Sequence, residues 1–252
     1  HSGVVKTLVR YYPSCIRPSS AGRIRSVVMK RQKPEPPALT DYVDTHFHLA
    51  HTLKKGLDQT EVLDRAFASG LKYAIDIATG PEEFAQRCAA ADRYPGLFMS
   101  IGYYPSRAEE ELSDDIEETL TAQADAHPKV VALGEIGLDY HWNYGTPERQ
   151  RELFERQVNA ANKLGLPISI HCREAEGDLL ASLKRVSPAK GGVLHCFSGD
   201  YEFAKGCLDF GLNISFAGNV SYKKAEKLRE AAAKIPEASL LLETDAPYLA
   251  PV

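Results

Sequence analysis

The sequence predicts an α/β protein, a (β/α)8 barrel of the TIM type with eight parallel strands. From residue 41 onward, short segments rich in apolar and β-branched residues alternate with longer amphipathic segments. This alternation is typical of parallel strands joined by crossover helices. A chain of 252 residues suits a single barrel. An open, doubly wound sheet is the alternative arrangement of the same elements.

Eight strands and seven helices are predicted within residues 41–252. Gly70, Gly165 and Gly211 fall where helices should end, as glycines at helix C-termini do. No segment after the eighth strand can form its covering helix, so we expect a barrel without that final helix. The strands are predicted at 42–48, 73–78, 97–102, 130–136, 167–172, 192–197, 212–216 and 239–244, and the helices near 57–69, 81–94, 113–126, 147–164, 175–186, 200–210 and 223–234.

Residues 1–40 differ from the rest of the chain and are predicted to be an N-terminal extension or linker, with the barrel domain at 41–252. Residues 1–33 contain eight basic and no acidic residues. Met29 is a candidate native start, in which case residues 1–28 are extraneous. Alternatively, residues 1–28 are an organelle-targeting segment, because such segments are basic and poor in acids.

Charge and cysteine content exclude several classes of protein. The remaining 22 of 30 basic residues face all 34 acidic ones, so the body carries a balance of −12. Such a body is a poor general binder of nucleic acid, although it can still hold one chain end. The five cysteines are irregularly spaced and form no CxxC, which favours a reducing, cytoplasmic compartment. No run of 18 apolar residues exists, so we expect no membrane span, and we expect a monomer.

Six residues of metal-ligand type lie at or just past the carboxyl ends of predicted strands. In a barrel these ends converge on one face, where active sites are built. Six such residues on one rim are difficult to explain as core packing, so the sequence predicts a centre of two divalent ions, with Mg²⁺, Mn²⁺, Zn²⁺ and Ni²⁺ all compatible. The predicted ligands are His46, His48, Glu135, His171, His195 and Asp245.

Two of these positions have informative surroundings. His46 and His48 are two apart in a strand and point to the same side, where they can hold one cation; the alternative is two buried histidines satisfied by hydrogen bonds. Glu135 follows Gly134, so both its oxygens are accessible and could bridge two cations. The alternative for Glu135 is a salt bridge to an arginine.

Further residues are candidates for catalysis and substrate binding. Asp245 could ligate an ion and take a proton from water, whereas Glu243 has the same strand parity and an ambiguous role. Arg173 should point toward the mouth, where it could hold a phosphate or carboxylate; the alternative is an ion pair with a nearby acid, Glu174 or Asp178. His141 could line the substrate cleft. Other residues have weaker assignments: Asp139 as an orienting or loop-capping group, Cys172 and Cys196 as barrel-wall fillers, and His51 as a solvated loop residue.

Taken together, these motifs resemble the TatD family of metal-dependent deoxyribonucleases, in the family's order and over residues 41–252. The resemblance implies that His46, His48, Glu135 and Asp245 hold one ion, and that Glu135, His171 and His195 hold the second. It implies 3′-end exonuclease action on DNA ends. The matching segments are Val43-Asp44-Thr45-His46-Phe47-His48-Leu49, Gly134-Glu135-Ile136-Gly137-Leu138-Asp139-Tyr140, Pro167-Ile168-Ser169-Ile170-His171-Cys172-Arg173, His195-Cys196-Phe197-Ser198-Gly199 and Leu242-Glu243-Thr244-Asp245-Ala246-Pro247-Tyr248-Leu249.

One departure from the family pattern bears on the substrate. The family often shows Gly-x-His-Pro after the third strand, whereas this chain has Gly102-Tyr103-Tyr104-Pro105. Tyr104 thus takes the place of a substrate-contacting histidine and cannot carry positive charge at neutral pH. The leading hypothesis, which the family resemblance implies, is phosphodiester hydrolysis. The alternative, which Tyr104 favours, is an amidase, esterase or aminoacyl-tRNA deacylase on the same site. A third hypothesis is a metal-stabilised scaffold without activity.

Overall fold

A computed structural model of the chain describes residues 41–109 and 114–252. The N-terminal extension predicted at 1–40 lies outside the described residues. The described part is one eight-stranded parallel sheet in which each strand pairs with the next in sequence. The strands are β1 (Tyr42–Phe47), β2 (Leu71–Asp76), β3 (Leu97–Ile101), β4 (Val130–Asp139), β5 (Ile168–Arg173), β6 (Gly192–Leu194), β7 (Leu212–Phe216) and β8 (Leu240–Leu242).

The sheet curls so that its first and last strands meet. Thr45 in β1 donates a hydrogen bond to the carbonyl of Leu242 in β8 (3.0 Å). Beyond β8, the backbone N–H of Asp245 donates to the carbonyl of His46 (2.9 Å), and the N–H of His48 donates to that of Ala246 (2.8 Å). The barrel prediction is therefore confirmed, and the open doubly wound sheet is wrong, because its strand order would reverse partway.

β6 and β8 are each three residues shorter than predicted, and β4 is three residues longer. β6 and β8 end at Leu194 and Leu242, whereas the sequence predicted strands to 197 and 244. β4 continues to Asp139, past the predicted end at 136. Both short strands give way to irregular backbone: Cys196 and Asp245 have positive φ angles of 43° and 53°, which ends the ladder.

The helices lie between the strands, and one of them was not predicted. Helix α1 (Leu49–Lys54) follows β1 directly, where a loop was expected. None of the helices within residues 41–109 and 114–252 combines the length and apolar composition that a bilayer crossing requires. Besides α1, the α-helices are α2 (Gln59–Ala68), α3 (Phe84–Arg93), α4 (Ile116–Ala126), α5 (Pro147–Leu164), α6 (Glu176–Arg185), α7 (Tyr201–Leu208) and α8 (Glu226–Lys234).

Helix α5 shows how local sequence sets these elements. Pro147 occupies its first turn, and the Thr146 hydroxyl accepts a hydrogen bond from the N–H of Arg149, which caps the helix. Gly165 ends the helix in the left-handed conformation with φ 67°, which costs glycine little. The apolar face of α5 is buried in the main core through Leu153, Phe154, Val158 and Ala161, although Leu164 is only half-buried.

A buried ion pair holds the segment between β1 and α1 against β2. Arg87 of α3 donates from Nε to Asp76 Oδ2 (2.7 Å) and from a terminal nitrogen to the carbonyl of Ser100 (2.9 Å). The other oxygen of Asp76 accepts from the N–H of Leu49 (2.8 Å). Both charged side chains are almost fully buried, so each depends on the other for compensation. The pair therefore fixes the backbone next to His48.

We expect Arg87→Met to lower the free energy of unfolding by about 3–5 kcal/mol, because it leaves Asp76 buried without its partner. Urea denaturation measures the change. The matched control is Arg93→Met on the same helix, since Arg93 is exposed and pairs with Asp64 at 3.6 Å; exposed pairs contribute at most about 1 kcal/mol. Equal losses in the two variants would contradict a structural role for the buried pair.

Candidate metal centre

The six predicted ligands converge at the carboxyl ends of the strands, on one face of the barrel. Five of them are buried, and His171 is half-buried. Their ligating atoms form two groups within which all atoms lie within 4.8 Å of one another: His46, His48 and Asp245 in the first, and Glu135, His171 and His195 in the second. These groups match the two ligand sets that the family resemblance implies, with Glu135 placed between them.

Irregularities in β1 and β4 bring His46 and Glu135 into the centre. Between Asp44 and Phe47, β1 advances three residues while β2 advances two. Between Leu133 and Ile136, β4 likewise advances three residues while β5 advances two. A bulge of this kind redirects the side chains beside it. The sequence could not predict either bulge, because both segments fit a regular strand pattern.

The glycines around Glu135 permit a close approach to β5. A Cβ atom added to Gly134 would lie 2.6 Å from Ser169 Cβ and 2.8 Å from the Ser169 carbonyl oxygen. Gly137 has a φ of 145°, and a Cβ there would lie 1.9 Å from the carbonyl oxygen of His171. Any larger side chain would therefore push β4 away from β5 and separate Glu135 from His171.

Asp44 holds the end of β8 in place. Its carboxylate accepts hydrogen bonds from the N–H of His46 (3.2 Å), the N–H of Thr244 (3.0 Å) and the hydroxyl of Thr244 (2.6 Å). Burial raises the pKa of Asp44 to about 6, although the bonds from Thr244 oppose that rise. Asp44 thereby links the strand that carries His46 to the segment that carries Asp245.

The first group surrounds a point between β1 and the segment after β8. His46 Nε2 and His48 Nε2 are 3.2 Å apart, and His48 Nε2 lies 3.4 Å from Asp245 Oδ1. Oε2 of Glu135 lies 3.7 Å from His46 Nε2 and 3.4 Å from His48 Nε2. Two imidazole and two carboxylate groups therefore face one another with their ligating atoms inward.

The second group involves the other oxygen of Glu135. Oε1 lies 3.0 Å from His171 Nδ1 and 2.7 Å from His195 Nε2, and those two nitrogens are 3.3 Å apart. Each oxygen of Glu135 thus belongs to a different group. No arginine forms an ion pair with Glu135 among the residues the structure describes, so the alternative of an Arg–Glu salt bridge is wrong.

Charge is tightly coupled in this cluster. Burial alone would raise the pKa of Glu135, but His195, His171 and His46 outweigh burial and hold its pKa well below the usual value. Burial also opposes ionisation of Asp245, yet the bond from His48 and the nearby imidazoles lower its pKa. Burial and the charge of His195 lower the pKa of His46. The carboxylates therefore remain ionised although they are buried, and they attract positive charge.

The second nitrogen of three imidazoles lies against a polar group outside the cluster. His48 Nδ1 is 3.1 Å from the Ile77 carbonyl oxygen, His46 Nδ1 is 3.4 Å from Ser169 Oγ, and His171 Nε2 is 3.1 Å from Asp139 Oδ2. Metal-binding histidines are usually oriented in this way, with one nitrogen for the ion and the other for an orienting acceptor.

The donor set fits divalent cations. Two atoms bound at about 2.1 Å to one ion lie roughly 3.0–3.4 Å apart, and most of the separations above are close to that range. Imidazole nitrogens 3.2–3.3 Å apart at both groups have no better shared partner than a cation or a proton. In addition, His195 Nδ1 and Glu243 Oε2 are buried without a hydrogen-bond partner among the described residues, which shows that the cluster is not a self-sufficient hydrogen-bond network.

Glu243 lies beside the donor groups, and the sequence left its role ambiguous. Its Oε1 accepts a hydrogen bond from the N–H of Cys196 (2.6 Å) and lies 3.5 Å from His195 Nδ1. With His46 and His195 it forms a third group of close donor atoms. The available signal was its strand parity with Asp245, which placed it on the inner face but could not distinguish a ligand from an orienting group.

The predicted substrate contacts lie at the rim. Arg173 is exposed and forms no ion pair with a described acidic residue; its guanidinium carbon lies 5.8 Å from the centre of the Trp142 ring. Neither of the acids proposed as its partners is available, because Glu174 pairs with His141 (2.7 Å) and Asp178 pairs with Arg151 (2.6 Å). The ion-pair alternative for Arg173 is therefore wrong.

Tyr104 lies beside the second group rather than in open solvent. Its hydroxyl donates to Asp139 Oδ2 (3.0 Å) and lies 3.3 Å from His171 Nε2. Burial, together with Glu135 and Asp139, raises the pKa of Tyr104, so the phenol stays neutral. Asp139 itself orients His171 and caps the following loop through the N–H of His141 (3.1 Å).

The structure also places His51, Cys172 and Cys196, which had weaker assignments from the sequence. His51 lies in α1 rather than in a solvated loop: its ring stacks 4.8 Å from that of His48, and its Nδ1 is 3.2 Å from the hydroxyl of Tyr248. Burial raises the pKa of the Cys172 and Cys196 thiols. A thiolate nucleophile is therefore unfavourable at either position.

Comparison with known proteins agrees with this geometry. The sequence profile of the family described as TatD related DNase matches residues 43–252. A Bacillus subtilis relative named "Uncharacterized metal-dependent hydrolase YabD" is 35% identical over 209 residues, which cover 82% of this chain and 81% of the relative. A Salmonella typhimurium relative named "3'-5' ssDNA/RNA exonuclease TatD" is 38% identical over 196 residues, which cover 77% of this chain and 75% of the relative.

A solved structure shows the same fold. The crystal structure of the TatD homologue YjjV from Escherichia coli superposes with a TM-score of 0.75 at 38% sequence identity, and the match covers 82% of this chain and 80% of that one. The profile match spans most of the chain. The protein therefore belongs to the TatD-related DNase family of metal-dependent hydrolases.

Proposed function

We propose that this protein is a divalent-metal-dependent phosphodiesterase that removes nucleotides from the 3′ ends of DNA strands. The observation that carries the proposal is the division of Glu135 between two donor groups, with Oε1 facing His171 and His195 and Oε2 facing His46 and His48. A carboxylate shared in this way can hold two ions close together, as two-ion hydrolysis requires.

The residues that would hold the ions follow from the two groups. His46, His48, Asp245 and one oxygen of Glu135 would hold the first, and His171, His195 and the other oxygen of Glu135 would hold the second. Divalent ions in such a site lower the pKa of water toward neutrality and offset negative charge on a phosphoryl group. The mixed nitrogen and oxygen donors suit Zn²⁺, Mn²⁺ and Ni²⁺, and the carboxylates also accept Mg²⁺.

The chain's own residues supply the remaining chemistry. The lowered pKa of Asp245, which the neighbouring imidazoles cause against the effect of burial, keeps its carboxylate ionised to orient the attacking water and accept its proton. As the water oxygen bonds to phosphorus, the bond from phosphorus to the leaving sugar oxygen breaks, and that oxygen takes up the proton that Asp245 accepted from the water. The exposed guanidinium of Arg173, two residues beyond His171, supplies positive charge to the phosphate as this happens.

The choice of a nucleic-acid end as substrate has two supports. The Salmonella typhimurium relative at 38% identity is named as a 3′-5′ exonuclease of single-stranded DNA and RNA. The acidic balance of −12 in residues 34–252 opposes tight binding along a duplex, which requires many phosphate neutralisations. An enzyme that holds only a strand end needs few such contacts.

An ester or amide is the second candidate substrate, and Tyr104 favours it. Tyr104 remains a neutral phenol held by Asp139, so this corner of the site supplies a hydrogen-bond group but no positive charge. A neutral carbonyl substrate requires less charge compensation than a phosphodiester does. The two candidates share the same donor groups and differ only in the bond that is hydrolysed.

The metal content should be about two ions per chain, and we expect Glu135→Ala to retain at most one tightly, because Glu135 contributes an oxygen to each group. Elemental analysis after dialysis measures the ratio. The control is Glu152→Ala, which removes an exposed carboxylate on α5. Full occupancy in Glu135→Ala would contradict the bridging role.

Hydrolysis of an end-labelled single strand should require Mg²⁺ or Mn²⁺ and stop with EDTA. We expect His171→Ala to lower kcat by ~100-fold or more, because it removes a donor from the second group. His127→Ala is the matched control, since His127 pairs with Asp92 at the opposite end of β4. Ester and amide substrates are assayed in parallel. Turnover of those alone would replace the nuclease proposal, and metal binding without any turnover would indicate an inactive scaffold.

Glu243→Gln should weaken metal binding roughly 10–100-fold, the usual effect of losing a residue that orients a metal-binding histidine. The amide retains the size of the side chain but removes the negative charge 3.5 Å from His195 Nδ1. Chelator competition measures the affinity, and Glu237→Gln, an exposed position before β8, is the control. Unchanged affinity in Glu243→Gln would show that Glu243 only supports the backbone of Cys196.

A further inference from the structure

Trp142 is the only tryptophan in the sequence, and it lies on the loop after β4 at the mouth of the barrel. Its side chain is 52% exposed, although the backbone around it is well anchored. Asp139 Oδ1 accepts from the N–H of His141 (3.1 Å) and of Trp142 (3.4 Å), and the N–H of Tyr144 donates to the Trp142 carbonyl (2.9 Å). An exposed indole is thus held on an ordered backbone.

The same carboxylate connects this loop to the metal centre. While Oδ1 of Asp139 caps the loop, Oδ2 lies 3.1 Å from His171 Nε2. Gln150 of α5 donates to the carbonyls of Asp139 (3.0 Å) and Tyr144 (3.2 Å), which closes the loop from the other side. The position of Trp142 relative to the second donor group is therefore fixed before any substrate binds.

Arg173 lies beside the exposed ring of Trp142. Its guanidinium lies 5.8 Å from the centre of the Trp142 ring, within the range of a cation–π contact, and no described acidic residue forms an ion pair with it. The His141 ring meets Trp142 edge-on at 4.8 Å, and His141 is itself paired with Glu174. An aromatic face and an uncompensated cation therefore lie side by side next to His171.

A chance surface aromatic is the ordinary alternative, and Tyr73 shows what it looks like. Tyr73 is 36% exposed in the amino-terminal half of β2 and contacts Phe98 at 6.2 Å, far along the strand from the donor groups. Single exposed aromatics of this kind are normal on protein surfaces. Trp142 differs because it combines greater exposure, an anchored backbone, a neighbouring cation that pairs with none of the described acidic residues, and a connection through Asp139 to His171.

We propose that Trp142 and Arg173 form a nucleotide subsite for single-stranded nucleic acid, in which the indole stacks on a base and the guanidinium binds the adjoining phosphate. Every base offers a π-face, so such a platform accepts any sequence. Bases inside a duplex are stacked on both faces and cannot use it, whereas those of a single strand can. This subsite rests on the proposed phosphodiesterase function and identifies the substrate as a single strand.

The single tryptophan permits a direct test by fluorescence. The metal-loaded protein is titrated with a short single strand carrying phosphorothioate linkages, which resist hydrolysis, and tryptophan emission is recorded. Stacking on Trp142 should quench the emission in a saturable manner. The comparison is a strand of equal length with abasic sites at its last three nucleotides, which should bind with little quenching. Equal quenching by both strands, or none by either, would overturn the proposal.

Variants separate stacking from loop structure. We expect Trp142→Ala to weaken binding of a dye-labelled strand roughly tenfold, the usual effect of losing one base–aromatic stack, and Trp142→Phe to retain most of the affinity. Tyr73→Ala is the matched control and should bind normally. With the abasic strand, Trp142→Ala should bind as well as wild type does. A loss that is equal for the normal and abasic strands would assign Trp142 a purely structural role.

These outcomes can be distinguished from failure of the proposed function. Saturable, base-dependent quenching without hydrolysis of any unmodified strand would support the subsite and reject the phosphodiesterase. Hydrolysis of single strands that is unchanged in Trp142→Ala, with no quenching, would support the phosphodiesterase and reject the subsite. Arg173→Ala adds a further readout, because loss of a phosphate contact should reduce the salt dependence of strand binding.

Discussion

The buried carboxylate of Glu135 is the constraint on which the rest of the site depends. A carboxylate removed from water is costly unless positive charge compensates it. Here four imidazoles lie around it, two against each oxygen, and they hold its pKa well below the usual value despite burial. The histidines lie in β1 or directly after it, in β5, and directly after β6, so Glu135 is compensated only when distant segments of the barrel meet. The donor groups therefore assemble only where these segments of the folded barrel meet.

That assembly depends on contacts outside the donor groups. Asp44 joins β1 to the segment after β8 through two hydrogen bonds from Thr244, and the Asp76–Arg87 pair fixes the start of α1 beside His48. Asp44 and the Asp76–Arg87 pair are buried charged groups that contact the backbone of, or next to, the candidate ligands. Their cost is offset by satisfied hydrogen bonds, and in return they restrict where His46, His48 and Asp245 can lie. Precise placement of donor atoms requires this kind of support.

Sequence patterns predicted the fold and the convergence of the six residues because both depend on period and position, whereas the division of these residues into two ligand sets came from the family resemblance. Alternation of segments gives the parallel barrel, and strand ends in a parallel barrel must meet. The patterns did not predict the bulges beside His46 and Glu135, because an extra residue in a strand leaves no mark on composition. They also missed α1 and the half-buried position of His51 within it, since a six-residue helix shows too little periodicity. The role of Glu243 depends on a distance to His195 that parity alone cannot give.

Asp139 shows how the chemical and the recognition parts of the site are coupled. One of its oxygens faces His171 and the hydroxyl of Tyr104, and the other caps the loop that carries Trp142. Movement of the loop would therefore disturb the orientation of His171, and a shift of His171 would in turn loosen the loop. Because Asp139 contacts both His171 and the loop, a substrate bound at the proposed Trp142–Arg173 subsite would lie in fixed register with the donor groups. A single-stranded end needs such a register, since its own backbone is too flexible to position the terminal phosphate.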